Sequence, residues 1–336
     1  MKLELENISV SLGGNKILDD VSFCVPEGRF VSILGVSGSG KSTLLKIIAG
    51  LLPQSAGSVM IGGRCADKVP AHKRGTVIVF QDYRLFPHMS VAENIGFPLR
   101  MKGVPQKECL KRASQLLGKV QLEGFEGRKP HEMSGGQIQR VALARSLAAD
   151  PGVLLLDEPF SNLDENLRKE MRALVLGLQR EYGITTVLVT HDRAEALSMS
   201  DGIVLISEGR VLQADTPERI FERPNSPQVA DYFGDTFYIG GTVRDGVFKS
   251  EYIDFDAKKP DGAYRAMLRP SSIKSVVKGE GAFRVVSVSY QGDRYELTLE
   301  SRDRALRLSA QVPELHGLSA GDFAEVEFDA GKAVLF

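Results

Sequence analysis

The sequence predicts an α/β fold, in which a parallel-sheet core with an inserted helical subdomain precedes a small all-β domain of the OB-like barrel type. Three observations lead to this prediction. Short apolar runs alternate with helix-like stretches between residues 30 and 207, a glycine-rich loop follows the first run, and short alternating segments begin near residue 236. Strands buried on both faces of a parallel sheet are apolar throughout, whereas half-exposed strands alternate.

Five apolar runs are the expected strands of the core sheet. Each is rich in Val, Ile and Leu and lacks the polar alternation of a half-exposed strand. The runs are FVSILG (30–35), TVIVFQ (76–81), VLLLDEP (153–159), TTVLVT (185–190) and GIVLIS (202–207). Helices are expected between them, for example over Ser42–Ala49 and Glu165–Glu181. This succession of strand and helix is typical of a parallel α/β core.

Two other regions differ from this core. Residues 82–150 are helical in pattern and contain no buried-strand run, so we expect an inserted helical subdomain there. From residue 236, alternating segments are cut by Gly and Asp turns, which predicts one or two small barrels. The stretch 222–235 is the expected linker. The predicted domains are therefore 1–235 and 236–336.

The bulk composition limits the classes of function. A chain of 336 residues suits two or three domains, and 43% apolar with 25% charged residues is typical of a globular protein. The net charge of −1 gives no support for nucleic-acid binding by bulk charge. Three scattered cysteines suit a reducing compartment, and no apolar stretch has the length of a bilayer span. We therefore expect a protein that is made and kept in the cytoplasm.

A glycine-rich loop between the first apolar run and the first helix predicts a phosphate site. The segment GVSGSGKST fits the pattern G-x-x-x-x-G-K-[ST] and has the strand-to-helix context that this P-loop motif requires. Its backbone N–H groups and the helix N-terminus can face phosphate oxygens. Lys41 can bridge the β- and γ-phosphates, and the Ser42 hydroxyl can bind Mg²⁺. The expected nucleotide-binding residues are Gly35, Ser37, Gly38, Gly40, Lys41, Ser42 and Thr43.

Two adjacent carboxylates end the run VLLLDEP. Asp157 is a candidate ligand of Mg²⁺, directly or through water, and Glu158 is suited to orient or deprotonate a water that attacks the γ-phosphate. Alone, this pair is equally well explained as a solvated strand end. Open α/β sheets bind their ligands at the carboxyl edge of the strands. In a chain with a P-loop, the pair therefore predicts a hydrolytic site.

Two further polar side chains follow apolar runs in the same way. His191 follows TTVLVT and can contact a γ-phosphate, and Gln81 ends TVIVFQ and is a neutral ligand candidate for Mg²⁺ or water. Either residue in isolation would be explained as a surface or capping side chain. Three strand ends and one P-loop together predict in-line attack of water on a γ-phosphate, helped by positioning and charge neutralisation.

The segment MSGGQ (133–137) indicates a second anion site. A serine and two glycines stand directly before an amphipathic helix, where backbone N–H groups can surround an anion. The segment holds no lysine and no ligand for Mg²⁺. Because the P-loop lies almost a hundred residues earlier, this segment would bind a second phosphate group.

Together these residues resemble the nucleotide-binding subunit of an ABC transporter. MSGGQIQRVALAR is similar to the family's signature motif, SNLD (161–164) to the loop after the acidic pair, Gln81 to the glutamine loop and His191 to the switch histidine. All occur in the family's order, within residues 1–235. The resemblance implies a P-loop NTPase core, the cofactors ATP and Mg²⁺, and an ATPase in which Glu158, His191 and Gln81 are catalytic.

The resemblance also implies a homodimer. Two subunits of this family pair head to tail, and each ATP lies between the P-loop of one and the signature of the other. Leu12 stands where the family usually stacks an aromatic residue on adenine, and Met133 replaces the usual leucine of the signature. ATP would close the dimer and hydrolysis would reopen it. The residues implied to contact the partner's nucleotide are Ser134, Gly135, Gly136, Gln137 and Asp164.

The remaining motifs narrow the branch of the family. Residues 79–105 resemble the region that meets the permease in binding-protein-dependent importers, with Phe86, Pro87 and Met89 as candidates for that contact. MLRPSSI (267–273) and the β segments after it resemble the regulatory β-barrel of importers for sugars, polyamines, iron(III), sulfate or related anions. The resemblance implies a peripheral subunit on the cytoplasmic face of the inner membrane. Its implied partners are permease subunits and, indirectly, a solute-binding protein, without nucleic acid.

The alternative function is a soluble ABC ATPase of the DNA-repair or translation type. Such proteins usually carry two fused cassettes or a long coiled-coil insertion. This chain has one cassette and no heptad run between its motifs, which favours the importer. The sequence does not define the transported solute, because selectivity lies in the binding protein and the permease.

Overall fold

A computed structural model describes residues 2–336 of the chain and divides into two compact units. The first ends at Pro217, and the second spans Glu218–Phe336. The boundary between the units therefore lies earlier in the chain than the boundary at residues 235 and 236 expected from the sequence. The physical reason lies in Arg269, whose guanidinium donates to the carbonyl oxygens of Phe221 (3.3 Å) and Ala230 (3.0 Å). These bonds connect Phe221, just before the expected linker, and Ala230, within it, to the β domain.

Within the described residues, the first unit contains ten strands and six α-helices. The strands are β1 (Leu3–Leu12), β2 (Asn15–Val25), β3 (Phe30–Leu34), β4 (Ala56–Ile61), β5 (Arg64–Cys65), β6 (Thr76–Val79), β7 (Val153–Asp157), β8 (Thr185–Val189), β9 (Gly202–Ser207) and β10 (Arg210–Asp215). The helices are α1 (Lys41–Ile48), α2 (Val91–Met101), α3 (Gln106–Lys119), α4 (Gly135–Ala148), α5 (Glu165–Tyr182) and α6 (Arg193–Met199). Short 3₁₀ turns cover Ala71–Lys73 and Pro130–Glu132.

Six strands form the core sheet in the order β10-β9-β3-β8-β7-β6. All neighbours are parallel except β9 and β10. Every residue of β3 and β8 is buried, as expected for apolar runs covered on both faces. The predicted parallel α/β core is confirmed. Since β3, β8, β7 and β6 run in one direction, the loops that follow them lie at one edge of the sheet.

A second sheet covers one face of helix α1. Strands β2, β1, β4 and β5 are antiparallel neighbours in that order. Leu44, Leu45, Ile47 and Ile48 of α1 lie in one buried cluster with residues of both sheets. This packing fixes the helix that follows the glycine-rich loop.

Helices α2, α3 and α4 form the predicted helical insertion, and the structure places no strand between residues 82 and 150. Ser90 begins α2 with a capping box, in which its hydroxyl accepts from the Glu93 N–H and the Glu93 carboxylate accepts from the Ser90 N–H. The buried faces of the three helices share a core cluster with β6 and β7. Helix α4 therefore packs in the same core as β6, the neighbour of the strand that ends in the acidic pair.

The second unit confirms the all-β prediction in the form of two antiparallel sheets. Their strand orders are β13-β12-β11-β14-β19 and β17-β16-β15-β18. The first sheet is built from β11 (Phe237–Arg244), β12 (Val247–Lys249), β13 (Asp254–Asp256), β14 (Gly262–Leu268) and β19 (Val334–Leu335), and the second from β15 (Ile273–Tyr290), β16 (Tyr295–Ser301), β17 (Arg307–Val312) and β18 (Phe323–Phe328). Further 3₁₀ turns cover Pro270–Ser272 and Ala330–Lys332.

Two short helices, α7 (Pro217–Glu222) and α8 (Pro227–Tyr232), precede these strands. Helix α8 lies inside the segment expected to be a linker, which corrects that expectation. Its start has a simple cause: the Ser226 hydroxyl accepts from the Val229 N–H at 3.4 Å, and Pro227 occupies the first helical position. Among residues 2–336, no helix is long and apolar enough to cross a membrane.

Candidate functional site

The glycine-rich loop connects β3 to α1 and is closely packed. Gly40 precedes the first helical residue with a φ of 97°, in the left-handed region that favours glycine. A Cβ there would lie 2.6 Å from Leu18 Cδ2 and 2.9 Å from the carbonyl oxygen of Ile17. Side chains at this position would thus be excluded both by the backbone conformation and by the neighbouring strand β2. The loop keeps its anion-binding curvature for that reason.

Lys41 is buried in this loop, and its ammonium is held by the loop itself. Its Nζ donates to the carbonyl oxygens of Gly35 at 2.8 Å and Val36 at 2.9 Å. Burial lowers the pKa of Lys41, while the nearby carboxylates of Glu158 and Asp157 act to raise it. The ammonium therefore lies between the loop carbonyls and the acidic end of β7.

Ser42 and Asp157 meet directly at the end of β7. The Ser42 hydroxyl donates to Asp157 Oδ1 at 2.9 Å. Burial raises the pKa of Asp157, and Glu158 raises it further, whereas the Ser42 hydrogen bond and the ammonium groups of Lys46 and Lys41 lower it. A cation at this point would favour the ionised carboxylate.

The donor set at this point fits Mg²⁺. The ion prefers oxygen ligands at about 2.1 Å in an octahedron, which puts neighbouring ligand atoms about 3 Å apart. The Ser42 and Asp157 oxygens lie at 2.9 Å from each other. One hydroxyl and one carboxylate, with phosphate oxygens and water in the remaining positions, match the way in which proteins hold this ion at nucleotide sites.

Glu158 is in a strained conformation beside His191. Its φ is 47°, uncommon for a residue with a Cβ, and its N–H donates to the Val189 carbonyl oxygen of β8 at 2.9 Å. Its Oε2 lies 3.3 Å from Nδ1 of His191. The strand ends β7 and β8 thus bring a carboxylate and an imidazole together, as the sequence predicted from their positions.

Gln81 joins the same group through a serine. Its Nε2 donates to Ser161 Oγ at 3.1 Å, and the Ser161 hydroxyl donates to the carbonyl oxygen of Glu158 at 3.0 Å. Because the amide nitrogen of Gln81 donates to Ser161, its amide oxygen is the atom that would bind a cation or accept from a water molecule. The candidate catalytic residues Gln81, Glu158 and His191 therefore form one connected chain of contacts at the edge of the sheet.

The serine and glycines of MSGGQ form the start of helix α4. Ser134 Oγ accepts from the Gln137 N–H at 3.4 Å, and Gln137 Oε1 accepts from the Ser134 N–H at 3.0 Å, which completes a capping box. The Gly135 Cβ direction is open. The hydrogen bonds of Ser134 and Gln137 thus stay within their own helix start and do not extend to the P-loop.

Gly136 and Asp164 join the helix start of α4 to that of α5. A Cβ on Gly136 would lie 2.5 Å from Leu167 Cδ2 of α5, so a larger residue would require the leucine side chain to move. Asp164 caps α5, with its Oδ1 accepting from the Leu167 N–H at 2.9 Å. Leu12, the expected adenine neighbour, ends β1 and has a side chain that is 42% exposed.

An arginine clamp behind Gln81 was not predicted. Tyr83 and Arg84 have φ values of 57° and 45°, and the guanidinium of Arg145 in α4 donates to both of their carbonyl oxygens at 2.8 Å. Gln139 of the same helix, which is buried, donates to the Pro159 carbonyl oxygen at 2.6 Å. Tyr83 and Arg84 have positive φ values at the point where Arg145 holds their carbonyl oxygens. In a sequence, glycine is the usual signal of such a conformation, and neither residue is glycine.

Comparisons with known proteins agree with this geometry. Residues 18–161 match the family model described as ABC transporter. The chain is 38% identical over 323 residues to the Fe(3+) ions import ATP-binding protein FbpC of Escherichia coli (strain K12), which covers 93% of this chain and 91% of that protein. The FbpC protein of Photorhabdus laumondii subsp. laumondii is 37% identical over 324 residues, with the same coverage.

Solved structures match about two thirds of the chain. The dimeric post-hydrolysis structure of the ATP-binding cassette MJ0796 with ADP and Pi has a TM-score of 0.59 and 34% sequence identity, and covers 64% of this chain and 98% of that one. The structure of cbiO1 from Clostridium perfringens, described as part of the ABC transporter complex cbiONQ, has a TM-score of 0.61 and 31% identity, and covers 65% and 89%.

Proposed function

This chain belongs to the ABC transporter family as the ATPase subunit of an importer, and from that premise we propose that it works as a head-to-tail homodimer that closes on ATP and reopens after hydrolysis. The observation that carries the proposal is the chain of contacts at the sheet edge. Ser42 meets Asp157, and Glu158 meets His191, beside the loop that holds Lys41. One nucleotide can reach all of them.

The P-loop binds the phosphates of ATP. The N–H groups that follow Gly35 and the start of α1 face the β-phosphate, and Lys41 exchanges the carbonyl oxygens of Gly35 and Val36 for phosphate oxygens. The residues assigned to this cradle are Gly35, Ser37, Gly38, Gly40, Lys41, Ser42 and Thr43. Leu12 packs its aliphatic side chain on the adenine ring.

Hydrolysis depends on Glu158. Its carboxylate accepts a proton from the water that attacks the γ-phosphate, and the bond to His191 keeps it aimed at that water. Ser42 and Asp157, with the amide oxygen of Gln81, would hold Mg²⁺, which would supply neutralisation of the phosphate charge. His191 contacts the γ-phosphate from the end of β8.

The second subunit completes each site. Ser134, Gly135 and Gly136 place helix-start N–H groups on the partner's γ-phosphate, where the open Cβ direction of Gly135 leaves room for an anion. Gln137 and Asp164 flank the same nucleotide. Support comes from the MJ0796 cassette, which is dimeric in a structure that holds ADP and Pi. The composite site explains why the chain carries a phosphate-binding helix start that its own P-loop does not use.

The partners of the dimer are the permease subunits of an importer at the cytoplasmic face of the membrane. The related cbiO1 is described as part of a transporter complex. Phe86, Pro87 and Met89 are the residues assigned to the permease contact. Phe86 packs on Phe97 of α2 with ring centroids 4.6 Å apart, and its backbone is held by the buried amide of Asn94. A solute-binding protein acts on the other side of the membrane, and the C-terminal β domain regulates or stabilises the dimer.

Adenine contact by Leu12 gives a first test. Leu12→Asp is expected to raise the KM for ATP about tenfold with kcat within twofold, because a half-buried leucine contributes about 1.4 kcal/mol of apolar packing. Leu51→Asp, at a leucine that is 54% exposed, is the matched control and should leave KM unchanged. Steady-state ATPase kinetics measure both. An unchanged KM in Leu12→Asp would place the adenine elsewhere.

The proposed solute is iron(III), the cargo for which the relatives that match nearly the whole chain are named. In the organism that carries this gene, deletion is expected to lower the uptake of radiolabelled iron(III) at least fivefold. The wild-type gene restores uptake and the Glu158→Gln gene does not. Uptake of labelled sulfate, maltose and spermidine serves as the control. Loss of one of these in place of iron(III) uptake would contradict the assignment of the solute and leave the ATPase assignment intact.

A further inference from the structure

Thr190 precedes His191 and is fully inside the protein. It follows β8, its side chain is 2% exposed, and its backbone N–H donates to the Ile33 carbonyl oxygen of β3 at 3.3 Å. Its hydroxyl donates to Glu195 Oε2 at 2.6 Å and accepts from the Asp192 N–H at 3.0 Å. The hydroxyl group of Thr190 therefore links the residue before His191 to the residue after it, Asp192.

Glu195 is the acceptor of that hydroxyl and is itself buried. Its side chain is 5% exposed, and Arg172 Nη2 of helix α5 lies 3.0 Å from Oε1. The same nitrogen lies 3.2 Å from Oδ2 of Asp192, whose Oδ1 accepts from the Glu195 N–H at 3.1 Å. A buried carboxylate is stable only when it is paired and hydrogen-bonded. The cluster thus has one preferred arrangement and resists distortion.

We propose that Thr190, Glu195 and Arg172 form a positioning cluster that holds His191 against Glu158 during ATP hydrolysis. The imidazole needs such support because it is 58% exposed and its contact with Glu158 spans 3.3 Å. A displacement of about 1 Å in a catalytic group can cost about 100-fold in rate. The inference rests on the proposed function, since it assigns a source of order to the His191–Glu158 pair.

The cluster also links His191 to helix α5. Arg172 lies two turns into α5, which begins at the Asp164 cap assigned to the partner's nucleotide. Helix α5 therefore begins at the residue assigned to the second subunit's nucleotide and also carries Arg172, which pairs with Glu195. The position of His191 is set by the helix at the subunit interface and by the end of β8 together.

Threonine variants separate positioning from stability. Thr190→Val keeps the shape of the side chain and removes the hydroxyl, and Thr190→Ser keeps the hydroxyl. We expect Thr190→Val to lower kcat about tenfold with the KM for ATP within twofold, and Thr190→Ser to restore kcat to within threefold of wild type. Thr186→Val is the matched control. Thr186 lies within β8 and is buried like Thr190, but its hydroxyl donates to the Ile184 carbonyl oxygen. Loss of this hydroxyl is therefore expected to lower the melting temperature and to leave kcat unchanged.

A double-mutant cycle tests whether Thr190 acts through His191. In a His191→Ala background, Thr190→Val is expected to cause no further loss of kcat, because the group that it positions is gone. Wild-type kcat in Thr190→Val, or an undiminished tenfold loss in the His191→Ala background, would overturn the inference alone. Full turnover by His191→Ala would overturn the proposed role of His191 and the inference with it. If Thr190→Val shows no cooperative melting, Glu195→Gln replaces it in the double-mutant cycle, because the glutamine keeps the shape of the glutamate side chain and removes its charge.

Discussion

Lys41→Ala is expected to lower ATP turnover by the purified protein at least 100-fold. In the proposed mechanism the lysine ammonium is the cation next to the γ-phosphate, and loss of one preorganised donor in a water-poor site costs about 10²–10³ in rate. The fold should survive, because the lysine's bonds in the resting loop go to two carbonyl oxygens that water can satisfy after the change. Phosphate release measures turnover, and thermal melting measures the fold.

Lys111→Ala is the matched control for this change. Lys111 is also helical, in α3, and its side chain is exposed away from the sheet edge. Its turnover should equal that of the wild type. Turnover above one tenth of the wild-type value in Lys41→Ala would remove the P-loop lysine from the proposed mechanism.

Glu158→Gln is expected to lower kcat by about 10²–10⁴-fold, the range that one general base contributes. The amide keeps the shape of the carboxylate and can still bond to His191, so ATP should bind and the dimer should close without reopening. We therefore expect a stable dimer in ATP and Mg²⁺, and a monomer in ADP. Size-exclusion chromatography with light scattering measures this difference.

The chain offers a close control in Glu208. This residue follows β9 of the same sheet, has a φ of 49° like Glu158, and is exposed in the turn to β10. Glu208→Gln reproduces the change in charge and backbone setting, and should hydrolyse ATP at the wild-type rate and show no ATP-trapped dimer. A Glu158→Gln protein that stays monomeric in ATP and Mg²⁺ would contradict the composite site.

The sequence predicted those parts of the fold that depend on contiguous residues. The runs before Gly35, Glu158 and His191 are apolar without alternation, which is how a strand covered on both faces must look. The P-loop and the helix start at Ser134 carry their own local chemistry. Parallel strands bring the residues that follow them to one edge, so the sequence predicted that Glu158 and His191 share that edge, whereas their direct contact depends on β7 and β8 being neighbours in the sheet.

The supporting contacts were beyond sequence reasoning, because their partners are distant in the chain. Arg145 clamps carbonyl oxygens of residues that precede it by 61 and 62 positions, and Arg172 balances Glu195 from another helix. Arg145 ends the signature-like segment, but no partner was assigned to it, and Arg172 lies outside every motif. Helix α8 was missed for a different reason, since the Ser226–Pro227 start signal was present and was outweighed by the linker-like composition around it.

The capping box at Ser134 has a consequence for product release. In the resting chain, the Ser134 hydroxyl and the Gln137 amide oxygen accept from each other's backbone N–H groups, at the helix start that the proposed dimer places on the partner's phosphate. When phosphate leaves, those donors return to bonds within the chain at once and need no water to enter first. The helix start thus competes with its own ligand for the same N–H groups, which favours departure of the anion and keeps the opened half-site from retaining it.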